Sequence, residues 1–266
     1  MFAATAVDHV LDTLHWHIFE TQGIGWHIPS FFSKYKLLML LAAALIILIY
    51  WPLAQKAKNG DVPRGLFWNC FESILTFIRD QLAKPYLGHD ADKYVHYLWT
   101  TFLFILFCNL FGLIPFLGSP TASFGVTLTL AVCTFVFIHG NAIREMGVKG
   151  YFKSYLPHLD VPYGMGTVII PFIAGIEIFG QFIKAGVLAV RLFANVFAGH
   201  MVLAFILFFV VVVKHEGPWL FWGVTVSSVI GVLLLSLLEL FVAFLQAFVF
   251  TFLTAIFLGS TLHPQH

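Results

Sequence analysis

The stretch "QFIKAGVLAVRLFANVFAGHMVLAFILFF", Gln181 to Phe209, decides how this chain is read. It is oily enough to sit in lipid, yet it carries Lys184, Arg191, Asn195 and His200. An arginine near the centre of a bilayer costs about 2.5 to 3.5 kcal/mol on insertion scales. Arginine keeps its proton in proteins, so that charge is permanent and something must offset it.

The rest of the chain makes lipid the relevant solvent. Of 266 residues, 60% are hydrophobic and 10% charged, where a soluble domain carries about 25% charged residues. The net charge of +1 gives no reason to expect a nucleic-acid partner. Cys70, Cys108 and Cys133 lie in or beside apolar runs and form no CxxC pair; they read as packing residues, not as a disulfide framework or zinc site. No P-loop or GxGxxG pattern is present, so nucleotide binding is not expected.

Outward from the opening stretch, the chain divides into an N-terminal extramembrane segment, 1–34, and a single membrane domain, 35–266. Residues 1–34 mix Asp8, Asp12 and Glu20 with His9, His15, His17 and His27. They lack a basic region followed by a short apolar core, and so do not read as a cleavable signal. A first span is expected at 35–54, near the ~20 residues a helix needs to cross the hydrocarbon core. At 65–84, polar Asn69, Glu72, Ser73, Thr76, Arg79 and Asp80 recur by threes and fours, which predicts an amphipathic helix lying on the membrane surface. Pro85 closes it. Spans at 95–115 and 123–143 flank the short, uncharged turn "GSPTAS" and form a hairpin.

Two apolar runs remain, 168–213 and 220–262, divided by "KHEGP". As single helices each would be roughly 65 to 70 Å long, twice the ~30 Å hydrocarbon core. Beyond Pro171 the first run has no proline and no Gly-Asn or Gly-Asp pair, which favours two long, steeply tilted helices over four short spans. Lys56, Lys58, Arg64, Arg79, Lys84, Lys93, Arg144, Lys149 and Lys153 fall on one side of the membrane. Only Lys34, Lys36 and Lys214 fall on the other, so the N-terminus is expected outside and the C-terminus in the cytoplasm. The expected fold class is an all-α integral membrane protein.

On the first long helix, Glu177, Gln181, Lys184, Arg191 and Asn195 fall close to one line along the rod. His200 is turned away from that line, toward a neighbouring helix. On the second, Glu239 and Gln246 stand two turns apart, preceded by Ser236. Groups such as Gln181, Ser236 or Asn109 commonly glue helices together through hydrogen bonds. That bland reading does not fit Arg191, because ionisable residues inside membranes usually mark ion paths and proton relays. Glu177, His200 and Glu239 can change protonation state beside a fixed cation, a combination suited to proton handling.

The motifs "RLFANVFAGHM" (Arg191 to Met201) and "LELFVAFLQAFVFTFLTAIFL" (Leu238 to Leu258) closely resemble subunit a of F-type ATP synthases. "NLFGLIP" and "PTASFGVTLTLA" agree more loosely, and the likeness runs from about residue 35 onward. The resemblance implies two tilted helices packed against a rotating c-subunit ring. It implies a proton-channel stator subunit without catalytic activity of its own, with peripheral stalk b subunits and the remainder of the ATP synthase as partners and the lipid bilayer around it. It makes Arg191 the essential coupling arginine facing a ring carboxylate. Asn195, His200, Glu239 and Gln246 line the half-channel from the outer side, while Glu177 and Lys184 lie nearer the other half-channel, with Gln181 as a further secondary site. Many bacterial relatives carry an acid where His200 stands and a histidine where Glu239 stands; here the pair is exchanged, as in mitochondrial relatives. Ala194 replaces a common glycine. No cofactor and no metal is implied. A bacterial plasma (inner) membrane is the preferred location, with the mitochondrial inner membrane as the alternative. The rival function is a membrane subunit of a redox-driven proton-translocating complex, which would betray itself by an optical cofactor signal.

Overall fold

The computed structural model of the chain describes residues 34–58, 65–114, 118–154, 166–215 and 217–262. Residues 1–33, with their histidines, and His263 and His266 lie outside the described residues. Every regular element among the described residues is helical. Helix α1 is Lys34–Lys58 and accommodates Pro52 in its interior. Helix α2, Leu66–Ile78, runs through a π-helical turn, Arg79–Ala83, into α3, Lys84–Leu87. Pro85 does not end this element. It sits in the first turn of α3, where its missing N–H is tolerated, and the break comes instead at Gly88, whose φ of 54° suits a residue without Cβ.

After a short 3₁₀ turn, Gly88–Asp90, helix α4 spans Ala91–Leu113. Helix α5 spans Phe124–Ser154 and outruns the expected 123–143, because the chain kinks at Gly147 (φ 72°, ψ 160°) and then resumes helical structure. Helices α6, Gly166–Val212, and α7, Pro218–Leu262, have 47 and 45 residues. Five stretches are long and apolar enough to cross a membrane: Tyr35–Gln55, Trp68–Leu113, Phe124–Tyr151, Ile178–Val212 and Pro218–Leu262. The chain is a multi-pass membrane protein, and only helices satisfy their own backbone in such a solvent.

The residues form two compact sets that draw on the same long helices. The first holds α1, Thr101–Thr127 and Leu192–Phe248. Here Tyr35, Leu38 and Ala42 of α1 bury against Cys108 and Phe111 of α4. Phe102 meets Phe244 edge-on at 5.6 Å, and Asn109 Nδ2 donates to the Ala243 carbonyl at 3.3 Å, so α4 is tied to α7. Phe124 at the start of α5 meets Phe193 of α6 at 5.8 Å.

The second set holds Gly65–Thr100, Leu128–Arg191 and Val249–His266. The indole of Trp99 donates to the Leu75 carbonyl at 2.8 Å, which anchors the amphipathic α2. Tyr97 stacks on Phe137 at 3.7 Å and its hydroxyl meets Thr134 at 3.0 Å. Lys93 pairs with Glu145, to which the Tyr94 hydroxyl also donates at 2.9 Å. Arg79 and Asp92 pair at 2.7 Å but stay exposed, so they add little stability.

Gly259 of α7 lies so close to the backbone of Tyr86 that an added Cβ would strike the Tyr86 carbonyl oxygen. At Gly140 an added Cβ would meet nothing within 4 Å. Gly259→Ala should therefore cost about 1 to 3 kcal/mol of stability, read as a lower thermal midpoint of the detergent-solubilised protein. Gly140→Ala should be neutral or slightly stabilising by helix propensity. Equal midpoints for the two variants would refute this close packing.

Candidate functional site

Helices α6 and α7 are apolar along almost their whole length, and their own chain covers little of them. Of the most hydropathic window in Ile178–Val212 only 6% is buried, and in Pro218–Leu262 only 11%. The polar residues on these rods therefore divide by surroundings. Arg191 is exposed on α6, on the same face-forming turns as exposed Val187 and Val190. Asn195, one turn further on, is half-buried, and Gln181 likewise. Lys184 is exposed, with its ammonium 5.1 Å from the centre of the Phe257 ring, within cation–π range. Glu177 belongs to α6 by its backbone, and its side chain lies outside the described residues.

In the first compact set, Asn195 and Glu239 line one groove of about 190 Å³, together with Ala198, Gly199 and aliphatic side chains of both helices. The groove exists because α6 presents small residues there. A Cβ on Gly199 would stand 2.9 Å from Glu239 Oε1, so glycine is what lets the carboxylate rest against the α6 backbone. His200 follows Gly199 and turns its Nδ1 to within 3.8 Å of Glu239 Oε1. That gap exceeds a hydrogen bond, but a small rotation of either side chain would close it. Both side chains are mostly buried, at 16% and 15% exposure. Gln246, two turns beyond Glu239, is buried at 8%.

The structure thus brings together Asn195, His200 and Glu239, keeps Gln246 on the buried side of α7, and holds Lys184 against Phe257. Among the described residues no three His, Cys, Asp or Glu side chains converge as a metal site.

A further polar cluster lies at the α4–α5 connection, where sequence reading saw only a turn. Ser119 Oγ donates to the Cys108 carbonyl at 3.0 Å and meets Thr121 Oγ1 at 2.6 Å. Thr121 Oγ1 donates to Asn109 Oδ1 at 2.6 Å. Ser119, Thr121 and Asn109 are all buried. The one available signal was the hydroxyl-rich "GSPTAS" set between two apolar spans, which turn chemistry alone explains equally well.

Residues 37–259 match the ATP synthase A chain family. The chain is 40% identical to ATP synthase subunit a 2 of Chlorobaculum tepidum, over 94% of this chain and 68% of that protein. It is 34% identical to ATP synthase subunit a of Myxococcus xanthus, over 97% and 87% of the two chains. With ATP synthase subunit a of Chloroherpeton thalassium the identity is 36%, over 98% and 78%. The family match takes in all five apolar helices, including the pair that carries the polar groove, and the chain belongs to the ATP synthase A chain family.

Proposed function

We propose that this chain is the proton-channel stator subunit of an F-type ATP synthase, with two offset half-channels and Arg191 coupling proton movement to rotation of a c-subunit ring. The observation that carries the reading is the exposed Arg191 on a helix its own chain leaves almost bare. A permanent cation in that position needs an anionic partner from outside the chain, and a carboxylate on a neighbouring ring supplies one. The peripheral stalk b subunits and the rest of the synthase complete the assembly. The chain moves protons and performs no bond-making chemistry of its own.

The helix lengths fit this work. Rods of about 70 Å contained in a hydrocarbon core of ~30 Å, or ~45 Å with headgroups, lean roughly 50 to 65° from the membrane normal. Ordinary spans lean about 20°. A leaning rod follows the wall of a ring and serves half-channels that open on opposite sides. The location proposed is a bacterial plasma membrane, as the bacterial relatives suggest, with the N-terminus outside and the C-terminus cytoplasmic.

The chemistry follows from charge. A carboxylic acid brought beside a fixed cation gives up its proton more readily, so a protonated ring site reaching Arg191 discharges into one half-channel. The carboxylate passes the guanidinium and is recharged from the other half-channel through His200 and Glu239, with Asn195 and Gln246 along its walls. Glu177, Gln181 and Lys184 serve the second half-channel. Because Arg191 blocks straight flow between the two, rotation is obligatory. The membrane potential supplies about 2.3 kcal/mol per charge per 100 mV.

Arg191→Ala should abolish proton-driven ATP synthesis in membrane vesicles, a loss of about 10²-fold or more for one preorganised charge, while the assembly remains detectable. Normal coupled synthesis in that variant would overturn the reading. His200→Gln and Glu239→Gln should each slow proton flux by about 10²-fold without opening a passive leak; unchanged flux would make the pair structural. Gly199→Ala, whose new methyl displaces the Glu239 carboxylate, should lower flux several-fold with normal subunit levels, and wild-type flux would show the groove to be incidental.

A further inference from the structure

His200 has a second ring nitrogen that the scheme above leaves unused. Nε2 is buried and has no hydrogen-bond partner among the described residues. It points at the α4–α5 connection: Nε2 lies 3.1 Å, and Ser119 Oγ 3.3 Å, from the point where a Cβ on Gly112 would stand. Glycine at 112 lets the imidazole and the Ser119 hydroxyl crowd into one place. Both groups thus border one small space, yet no hydrogen bond to Nε2 is made as the side chains stand, in surroundings where an unmade hydrogen bond is costly.

The hydrogen count favours one direction of donation. Ser119 and Thr121 have one hydroxyl hydrogen each, and three acceptors compete for them: the Cys108 carbonyl, Asn109 Oδ1 and the partner hydroxyl. Asn109 is held in register by its own donation to the Ala243 carbonyl, so its Oδ1 stays aimed at Thr121. Diverting the Ser119 hydrogen to the imidazole would strip one of these buried contacts. With the Ser119 hydrogen on the Cys108 carbonyl and the Thr121 hydrogen on Asn109 Oδ1, Ser119 Oγ keeps a lone pair to offer and has no hydrogen to spare. A histidine beside such an oxygen is served only as a donor.

We infer that Ser119 is a positioning residue of the proton path: a small side-chain rotation lets its Oγ accept directly from His200 Nε2–H, which fixes the tautomer whose bare Nδ1 faces Glu239. The inference rests on the half-channel role of His200 and Glu239. A proton exchanged by the pair then travels between Glu239 Oε1 and His200 Nδ1. As the O–H bond breaks, the Nδ1–H bond forms, leaving a carboxylate beside an imidazolium, and the reverse step restores both; Nε2–H stays in place throughout. The opposite tautomer would put an N–H against a protonated carboxyl and stop the exchange until the ring lost one proton and gained another.

The test uses the assembled complex in inverted membrane vesicles, with ATP-driven proton pumping as the rate and subunit content as the control. Ser119→Ala should slow pumping about three- to tenfold, the factor that one net hydrogen bond is worth, at unchanged subunit content. In a His200→Gln background the same change should cause no further loss, because Ser119 acts through the imidazole. Nitrogen-15 spectra of the reconstituted complex, with the His200 signals assigned by difference from His200→Gln, should show Nε2 protonated and Nδ1 bare. Ser119→Ala should mix the two tautomers. A slow His200→Gln with a Ser119→Ala that is silent, or whose loss multiplies with that of His200→Gln, overturns this inference alone; so does a tautomer that ignores Ser119→Ala. A silent His200→Gln would sink the half-channel reading and this inference with it.

Discussion

The constraint on which the rest depends is that a helix in lipid satisfies its own backbone but cannot satisfy a side-chain charge. Arg191 and Lys184 are both cations on α6, and they meet that constraint differently. Lys184 lies over the Phe257 ring of its own chain, and its long stem lets the ammonium be shared between aromatic face and lipid interface. Arg191 is exposed on a helix of which only 6% of the most hydropathic window is covered. In the proposed reading, a fixed charge left facing outward is completed by a group from another subunit. Apolar residues such as Val187, Leu234 and Phe241 are open on the same bare helices, a surface suited to lipid or to a neighbouring subunit.

Where the proposed scheme needs protonation to change, the chain does the reverse and closes around the groups. Glu239 is drawn against the α6 backbone at Gly199, His200 is wedged toward Gly112, and both glycines are positions where a methyl group would collide with the partner side chain. At Gly199 the collision would be with the end of the Glu239 side chain, and at Gly112 with the side chains of Ser119 and His200. The close approach of α6 to α7 and to the α4–α5 connection is thus written into absent atoms, and the titratable groups inherit their geometry from it.

Much of the fold was legible because apolar runs without breakers have few options. The run 168–213 lacks a turn pair past Pro171, and it is one helix, Gly166–Val212. The run 220–262 is likewise one helix, Pro218–Leu262. Boundaries outside the apolar runs were less legible. Pro85 looked like a stop but falls where a helix start tolerates it, after a π turn whose extra residue leaves no trace in hydrophobic spacing. The span expected at 123–143 stops short of Gly147, which joins two helical stretches. At the site, Arg191, Asn195, His200 and Glu239 stood out because polar groups are rare in such surroundings. Ser119 and Thr121 did not, because small hydroxyl residues beside Gly and Pro are what any turn would contain. Their significance lies in which carbonyl and which ring they face, and that is a property of three helices at once.

The two classes of polar group therefore answer different demands. A fixed cation works by being available to an incoming anion, so it is best left on an uncovered face, where its energetic cost is relieved only on assembly. A proton exchanger works by holding donor and acceptor in a defined order, and disorder in either tautomer or rotamer would break that order. Burial between helices supplies the order, and hydrogen-bonded neighbours supply the sense of direction. On α6 the exposed Arg191 and the mostly buried His200 are nine positions apart on one continuous rod. One continuous helix can carry both groups and still give each the surroundings that the proposed chemistry requires, which is how a polar stripe and a proposed relay come to share a single helix instead of occupying separate spans.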